Sequence, residues 1–233
     1  ETIDTSLIDD SRQTARVIRL HPAFGLMPET ALRNIAATST LQKHARGSKL
    51  TIPSGCFSLI GFGIVKSSVQ IERKEVEFIV GLAGPGEALE LFSGPRPLEH
   101  TVSTPYATVV YVKAASITAM LPPSVLAIAK ECAIAQFRIT ERLLAAVHST
   151  AEGCLARVLV DLQFRFGDER EDGTAFVPLH FSRAELGALA GTSTETVTRT
   201  LTVWNRDGFV TVEPKGDIEF HRWEEFQKLA RSL

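Results

Sequence analysis

The sequence predicts an α+β protein that consists of an antiparallel β section, a long helix, and a last section of short helices with a β-hairpin. Three observations predict this order. Short segments rich in Val, Ile and Phe alternate with turn residues between residues 45 and 113. The segment from Ser124 to His148 contains neither Gly nor Pro. After it come two short helical patterns and a hairpin pattern.

Composition excludes several protein classes. The 233 residues are 44% hydrophobic and 22% charged, which is ordinary for a folded globular chain and excludes disorder and fibrous repeats. This length allows one large domain or two small ones. The formal net charge of −2 gives no sign of a polyanionic partner.

The cellular setting is predicted from features that the sequence lacks. No stretch approaches the ~18 to 20 continuous apolar residues that span a bilayer, and the acidic amino end has no signal-peptide core. The three cysteines, Cys56, Cys132 and Cys154, are far apart and form no Cys-x-x-Cys. Zinc ribbons, iron–sulfur ligation and a disulfide scaffold are therefore excluded, and we expect a reducing cytoplasm and no membrane.

The β section begins after a small helix. Apolar residues at helical spacing predict that helix from Pro28 to Thr38. Regularly spaced short strands then predict an antiparallel barrel or sandwich. The predicted strands are Lys49–Ile52, Phe57–Ile60, Gly63–Ile71, Val76–Leu82 and Ala107–Val112.

The long helix follows Pro122 and Pro123, which suit a first helical turn. Its apolar and small residues recur at about seven-residue intervals along one narrow seam. Such a seam favours pairing with a second subunit, and the alternative is a core helix that lies across its own barrel. The seam residues are Val125, Ile128, Cys132, Ala135, Ile139, Leu143 and Ala146.

The last section begins with a helix from about Thr150 that fades at Gly167. Residues 168–173 are predicted as a charged loop, because five of the six side chains in that run are acidic or basic. Further on, the sequence predicts a hairpin of Phe209–Val212 and Ile218–Phe220, and a closing helix, Glu224–Leu233, with Phe226, Leu229 and Ala230 on one side.

Between that loop and the hairpin the sequence has the pattern of a helix-turn-helix. Ser182 followed by Glu185 is a capping box that starts the first helix, and Gly191 ends it within two turns. Thr192 followed by Glu195 can cap the second helix. Three apolar residues of that helix are predicted to face the core: Val197, Leu201 and Trp204.

The opposite face of the second helix carries Thr194, Glu195, Thr198 and Arg199, whose spacing places them on one side. In a DNA major groove, Arg can donate two hydrogen bonds to guanine and Glu can accept one from cytosine. Thr can contact phosphate or a thymine methyl. The predicted phosphate contacts, near positive helix ends, are Ser182, Thr192, Ser193, Thr196 and Thr200.

A structural alternative is that Glu195 caps its helix and pairs with Arg199 at i,i+4. From Cys154 to Leu233 there are about ten basic and thirteen acidic residues, so this section is not basic overall. DNA binding therefore requires the acids to cluster around residues 168–172 and on the rear face.

Three segments make the chain similar to the CRP/FNR family of bacterial transcription regulators, from about His21 to Phe220. Gly63–Ile71 resembles the family's "VKGSV"-type strand, with Ser67 where glycine is usual. Gly84–Phe92 resembles the phosphate-cassette region. Phe181–Leu201 resembles the family's helix-turn-helix, in which Glu195-Thr-Val-Thr-Arg199 matches an ExxSR-type motif.

This resemblance implies an amino-terminal double-stranded β-roll (residues 1–121), a dimerisation helix (122–149) and a winged helix-turn-helix (150–233). It implies a cytoplasmic homodimer that binds palindromic promoter DNA and contacts RNA polymerase. Thr194 stands where the cyclic-AMP branch has a second Arg, so the expected half-site is the FNR-like TTGAT type. Arg199 is then expected to read guanine, Glu195 the complementary strand and Thr198 a thymine methyl.

The resemblance does not determine which effector the β section binds. The family's cyclic-nucleotide pocket uses an Arg-Ser pair and a Glu, whereas this chain has His100-Thr101 two residues late and Ala88 in place of the Glu. The other candidate contacts are Gly86, Glu87 and Thr140. A cyclic-AMP-responsive regulator therefore stays an alternative, and the absence of any effector is another.

Two further sensing chemistries are open. His21 and His44 precede the roll and are possible haem ligands, although a lone His is more often a structural residue. Cys132 or Cys154 is a possible oxidant sensor, although a small buried apolar role is more common.

Rival classes have little support in the sequence. A cupin-type metal-binding protein would need clustered histidines, but the six histidines are dispersed and form no His-x-His. The sequence also lacks a Walker loop, GxGxxG or Ser-His-Asp pattern, so we expect no enzyme. The remaining rival is a regulatory module whose winged helix docks on a protein partner.

Overall fold

The computed structural model describes residues 5–71, 76–89, 98–119, 130, 134, 150–178, 180–214 and 216–232. The chain divides into two compact units, one of Glu1–Ser68 with Gly81–Gln136 and the other of Val69–Val80 with Phe137–Leu233. The predicted division at residues 121 and 149 stays a prediction, because both boundaries fall outside the described residues.

Three helices precede the strands: α1 (Thr5–Leu20), α2 (Pro22–Gly25) and α3 (Glu29–Ala37). Helix α3 confirms the predicted helix, and it buries Leu32, Ile35 and Ala36. The sequence did not predict α1. Its buried side includes Thr14 beside Val17 and Ile18, so the apolar pattern is short and interrupted by a polar residue.

Eight strands follow, in two four-stranded sheets with the orders β1-β8-β3-β6 and β2-β7-β4-β5. The pairs recorded within them are antiparallel, as predicted. The strands are β1 (Thr40–Ala45), β2 (Lys49–Leu50), β3 (Cys56–Phe62), β4 (Val65–Ile71), β5 (Val76–Ala83), β6 (Ala88–Leu89), β7 (Glu99–Val102) and β8 (Tyr106–Lys113). A 3₁₀ helix, Ala114–Ala119, ends this part.

Strands β1, β6 and β7 were not predicted. Strand β1 is polar along most of its length, and it is a strand because it pairs with β8 over six residues, from Thr40 opposite Tyr111 to Ala45 opposite Tyr106. Strands β6 and β7 have two and four residues. Whether such a segment is a strand depends on pairing with a partner strand, and the periodicity of a single sequence does not show that pairing.

Two hydrophobic cores form because β3 and β8 bury both of their faces. Phe57 and Leu59 of β3 pack with α1 and α3 in one core, whereas Ile60 belongs to the other. Strand β8 divides in the same way, with Val110 and Val112 in the first core and Ala107, Val109 and Tyr111 in the second. This two-residue alternation explains the nearly continuous hydrophobic runs in the sequence.

The predicted long helix lies almost wholly outside the described residues, as do all seven seam residues. Lys130 and Ile134, the described residues of this segment, are helical and exposed. Pairing with a second subunit along the seam stays a prediction.

The last unit contains four helices among its described residues, α4 (Ala151–Phe166), α5 (Arg183–Ala190), α6 (Thr194–Arg206) and α7 (Trp223–Ser232). Its sheet has the order β11-β12-β10-β9, with β9 (Asp168–Glu169), β10 (Ala175–Val177), β11 (Val210–Val212) and β12 (Ile218–Phe220). Helices α4 and α7 and the hairpin β11–β12 confirm the predicted elements. None of the described helices is long and apolar enough to cross a bilayer.

The predicted charged loop is partly wrong. Asp168 and Glu169 form β9 and pair with β10. The backbone N–H of Arg170 donates to the carbonyl of Thr174 at 2.8 Å and closes a tight turn. The run therefore forms a small hairpin. Backbone pairing holds it together, and this pairing places no constraint on the exposed side chains, so no hydrophobic pattern in the sequence predicts it.

An aromatic cluster fixes the carboxy-terminal elements around the helix-turn-helix. Trp204 of α6 and Phe220 of β12 meet Phe226 of α7 at ring-centroid distances of 5.0 and 4.9 Å. All three side chains are at most 2% exposed. The predicted core contribution of α6 is confirmed, since Val197 and Leu201 are buried as well.

Candidate nucleic-acid interface

Helix α5 begins with the predicted capping box. The Ser182 hydroxyl accepts from the Glu185 backbone N–H at 3.2 Å, and the Glu185 carboxylate accepts from the Ser182 N–H at 2.8 Å. The helix ends at Gly191, whose φ of +67° is the left-handed conformation that favours glycine. The backbone N–H of Gly191 donates to the Gly187 carbonyl.

Gly187 allows the tight turn between α5 and α6. A Cβ at this position would lie 2.8 Å from the carbonyl oxygen of Thr192, which is shorter than a van der Waals contact. The Thr192 N–H donates to the Gly187 carbonyl at 2.9 Å, so the backbone of the turn is held against α5. The turn geometry therefore depends on the absence of a side chain at residue 187.

Ser193, and not Thr192, is the N-cap of α6. The Ser193 hydroxyl accepts from the backbone N–H of Thr196 at 3.1 Å. The predicted Thr192–Glu195 cap is wrong by one residue, because the backbone of Thr192 still belongs to the turn that ends α5. The second helix therefore begins one position later, after the extended residue Ser193.

The predicted reading face of α6 is exposed. Thr194, Glu195, Thr198 and Arg199 all face solvent, and the opposite side of the helix is buried. Between Glu195 and Arg199, both of which the structure describes, there is no ion pair. The alternative interpretation, an i,i+4 ion pair between Glu195 and Arg199, is therefore not observed.

Thr198 has a defined orientation. Its hydroxyl donates to the backbone carbonyl of Thr194 at 2.9 Å, and Thr202 makes the same kind of bond to Thr198 at 2.8 Å. A Thr hydroxyl bound to the preceding turn restricts χ1, and the methyl group is then fixed as well.

Four of the five predicted phosphate contacts lie at helix starts and remain accessible: Ser182, Thr192, Ser193 and Thr196. Thr200 differs, because it is only 7% exposed. It lies three residues after the buried Val197 and therefore shares the packed side of the helix.

A contact that the sequence did not predict holds α6 in place. The indole N–H of Trp204 donates to the Glu152 carboxylate at 2.9 Å. Glu152 lies at the start of α4, and with Arg199 it lines a shallow cleft of about 310 Å³. The two partners are 52 residues apart, so no local pattern in the sequence could have paired them.

Comparisons with known proteins agree on one class. A family profile described as the Crp-like helix-turn-helix domain matches residues 155–229, which include α5, α6 and the hairpin. FixK2 from Bradyrhizobium japonicum has a similar fold with a TM-score of 0.71, at 19% identity over 82% of this chain and 96% of that one. A CRP/FNR-family regulator from Thermus thermophilus has a TM-score of 0.66, at 18% identity over 82% of this chain and 98% of that one.

Residues 155–229 therefore match a Crp-like helix-turn-helix domain, and the chain has the fold of CRP/FNR-type structures. A CooA variant from Carboxydothermus hydrogenoformans shares the fold with a TM-score of 0.67, at 17% identity over 82% of this chain and 88% of that one. A search of curated proteins found no match.

Among the described residues, several arginines of the carboxy-terminal unit pair with acids away from the reading face. Arg170 pairs with Glu219 at 2.7 Å, and Arg222 pairs with Glu225 at 3.1 Å. Arg206, at the far end of α6, pairs with the neighbouring Asp207 at 3.0 Å. Arg199 is left without a carboxylate partner among the described residues.

The candidate effector residues at the cassette are used locally. The Glu87 carboxylate accepts from the Gly84 backbone N–H at 2.9 Å. Gly86 has a φ of +80°, and a Cβ there would lie 2.9 Å from the Leu20 carbonyl oxygen. Both residues therefore shape the turn before β6, whatever else they contact.

The other effector candidates lie on β7 or outside the described residues. His100 is 4% exposed, and its Nδ1 is 2.8 Å from the Ser67 hydroxyl. Thr101 is half-buried and pairs with Lys49 of β2 and Lys66 of β4. Thr140 is outside the described residues. The cleft between α1 and α3 and the cleft beside Arg199 are lined by other residues.

The histidines considered for haem have structural contacts in the amino-terminal unit. His21 is fully buried, and its Nδ1 accepts from the Ala23 N–H at 3.1 Å, which caps α2. His44 Nε2 lies 3.2 Å from the Tyr111 hydroxyl, and burial lowers the pKa of this histidine. Among the described residues, no group of three or more His, Cys, Asp or Glu is arranged so that it could hold a metal ion.

The cysteine that the structure describes in the last unit does not suit oxidant sensing. Cys154 is buried in α4, and this burial raises the pKa of its thiol, with a smaller opposing effect of Arg157. Such a thiol is a poor nucleophile. Cys132 lies outside the described residues.

Proposed function

We propose that this chain is a transcription regulator of the CRP/FNR type, a cytoplasmic homodimer that binds a palindromic, TTGAT-like promoter site with one α6 helix from each subunit. The observation that carries the proposal is the exposed face of α6, where Glu195 and Arg199 have no ion pair with each other. Charged side chains held on a rigid helix without internal partners are available to hydrogen-bond base edges.

Each side chain of this face has a distinct role in the proposal. Arg199 donates two hydrogen bonds to guanine O6 and N7, and Glu195 accepts from cytosine N4 on the complementary strand. Thr198 places its methyl group against a thymine methyl, since its hydroxyl is already bound to the helix backbone. Thr194, one turn earlier, borders the same base pairs.

Phosphates are contacted at the two helix starts. Ser182 and Ser193 are N-caps, and the first backbone N–H groups of a helix lack partners within the helix. These groups and the positive end of the helix dipole favour a phosphate oxygen. Thr192 and Thr196 lie beside them, whereas Thr200 is left out of the proposal because it is buried.

The homodimer follows from the seam on the long helix. Two subunits related by a two-fold axis present two α6 helices, and the half-sites then lie about one helical turn apart. The control signal enters at the β section, with Gly86, Glu87, His100, Thr101 and Thr140 as candidate contacts. RNA polymerase is the proposed partner of the DNA-bound dimer.

Selection of bound duplexes from a random pool tests the base sequence, the symmetry and the spacing together. We expect a palindrome with a guanine in each half-site. An enriched set without two-fold symmetry, or no enrichment, would contradict the proposal.

Arg199→Ala tests the central contact, and Arg206→Ala is a matched control in the same helix. Loss of a bidentate guanine contact should cost about 1–3 kcal/mol at each half-site. Arg206 is exposed and pairs with its neighbour Asp207, and among the described residues it has no other ion pair, so its loss should change affinity by less than about 0.5 kcal/mol. Fluorescence anisotropy with the selected and a scrambled duplex measures both.

An equal loss for Arg199→Ala on the scrambled duplex would show that Arg199 binds only phosphate. A protein that ignores every duplex at low salt would support the protein-docking rival instead.

A further inference from the structure

The amino-terminal unit has an open cleft of about 660 Å³ on its helical side, between α1 and α3. Four of its seven described lining residues are arginines: Arg12, Arg16, Arg19 and Arg33. The other three are Ser11, Ala15 and Glu29. The cleft thus carries three excess positive charges in a chain whose formal net charge is −2.

Packing of α1 accounts for this arrangement. Thr14, Val17 and Ile18 are buried against the core, so the opposite side of the helix faces outward. Arg12 and Arg16 are exposed on that side. Residues four apart in a helix have Cβ atoms about 5–6 Å apart, so the two guanidinium groups are neighbours.

The acidic residue of the cleft organises the other two arginines. Glu29 is hydrogen-bonded to both Arg19 and Arg33, the latter through Nε at 3.2 Å. These bonds, that of Arg19 first, lower the pKa of Glu29, so the carboxylate stays ionised at neutral pH. One carboxylate thereby fixes two guanidinium groups at the rim. Arg12 and Arg16 have no ion-pair partner among the described residues.

We propose that this cleft binds a multivalent phosphate compound, such as a nucleoside triphosphate or inorganic polyphosphate, through Arg12, Arg16, Arg19 and Arg33. Guanidinium groups match phosphate oxygens in paired hydrogen bonds, and adjacent arginines suit an anion with several phosphoryl groups. The volume lies within the range of small-molecule sites. The seven described lining residues include no aromatic ring, so recognition falls on the phosphates and not on a base.

Calorimetric titration of the full chain with inorganic tripolyphosphate, ATP and GTP at about 0.1 M salt tests the proposal. We expect similar affinities for ATP and GTP, because the base is not contacted. Arg12→Gln with Arg16→Gln should weaken tripolyphosphate binding by about tenfold or more, because the two unpartnered guanidinium groups are lost. Circular dichroism checks the fold, and the single variant Arg12→Gln serves if the double variant does not fold.

The control is Lys49→Gln with Lys113→Gln, which removes the same charge from exposed positions of the same unit outside the cleft. We expect less than about a twofold change. An equal loss in this control would show only nonspecific attraction and would overturn the proposal, as would the absence of tripolyphosphate binding to the unaltered chain. A loss of duplex DNA affinity in the arginine variant without tripolyphosphate binding would identify a nucleic-acid surface instead.

Discussion

At the scale of single residues, the outward face of α6 combines free charges with a fixed threonine. Glu195 and Arg199 have no ion pair with each other, and the Thr198 hydroxyl donates to the Thr194 carbonyl. The polar atom of Thr198 is thereby occupied, and its methyl group is the part left for a base. In the proposed site, Glu195 and Arg199 therefore make the hydrogen bonds to the bases, and Thr198 makes an apolar contact.

Removal of a thymine methyl from the DNA tests the apolar contact. Uracil in place of the contacted thymine should weaken binding by about fourfold, the value of one buried methyl group. The Thr198→Ser variant, which keeps the hydroxyl and lacks the methyl, should show no such difference between thymine and uracil. Anisotropy titrations of both proteins with both duplexes form a double-mutant cycle, and an unchanged uracil penalty in the variant would contradict the assignment.

Cys154 provides a second prediction at this scale. Because burial raises the pKa of its thiol, alkylation by iodoacetamide should be at least about tenfold slower at Cys154 than at the half-buried Cys56. Mass spectrometry of the labelled peptides measures each site separately. Equal rates in the folded protein would restore Cys154 as a candidate oxidant sensor.

At the scale of elements, the helix-turn-helix depends on where each helix is capped. Thr192 completes α5 with its backbone N–H, and Ser193 then caps α6 with its hydroxyl. Gly187 and Gly191 make the junction possible, the first by leaving room and the second by its positive φ. The orientation of α6 is therefore set by the contacts of Gly187, Gly191, Thr192 and Ser193 at the junction and by the hydrogen bond from Trp204 to Glu152.

The cap assignment predicts different costs for two adjacent substitutions. Ser193→Ala should destabilise the carboxy-terminal unit by about 1 kcal/mol, because the Thr196 N–H loses its acceptor. Thr192→Ala should cost less than about 0.5 kcal/mol, because Thr192 contributes its backbone and not its hydroxyl to the junction. Both tryptophans of the chain, Trp204 and Trp223, lie in this unit, so urea unfolding followed by tryptophan fluorescence reports on it. A larger loss for Thr192→Ala would reverse the cap assignment.

At the scale of the whole molecule, the proposed function requires two copies of α6 in register with one face of the duplex. The CRP/FNR-type fold supplies one such helix per chain. The net charge of −2 gives little general attraction to DNA, so affinity must come from the local contacts and from simultaneous binding of both half-sites.

Half-site spacing tests this requirement. Insertion of about five base pairs between the half-sites turns one of them to the opposite side of the duplex. Binding of the dimer should then fall by at least about a hundredfold, toward the affinity for a single half-site. Mobility-shift titrations with the normal and lengthened sites, together with sedimentation of the free protein, measure the effect. A monomer that binds both duplexes equally would contradict the homodimer.

Prediction from the sequence succeeded where local physical signals are strong. The capping box at Ser182, the glycine turn at Gly191 and the apolar stripe of α6 are each contained within a few residues, and all three are present in the structure. The hydrophobic strands β3 and β8 were found for the same reason. Strand β1, strand β9 and helix α1 were missed because many of their side chains are polar, and the pairing of β1 with β8 and of β9 with β10 leaves no hydrophobic pattern in the sequence.

The sequence by itself determined the capping box, the glycine turn and the side chains that α6 can present, because these follow from periodicity and capping over short distances. Tertiary structure alone decided that Thr200 is buried, that Ser193 is the cap, that Glu152 supports Trp204 and that four arginines from α1 and α3 line one cleft. The physical reason is that burial, hydrogen-bond pairing and local charge depend on which residues meet across the fold, and a linear pattern does not contain that information.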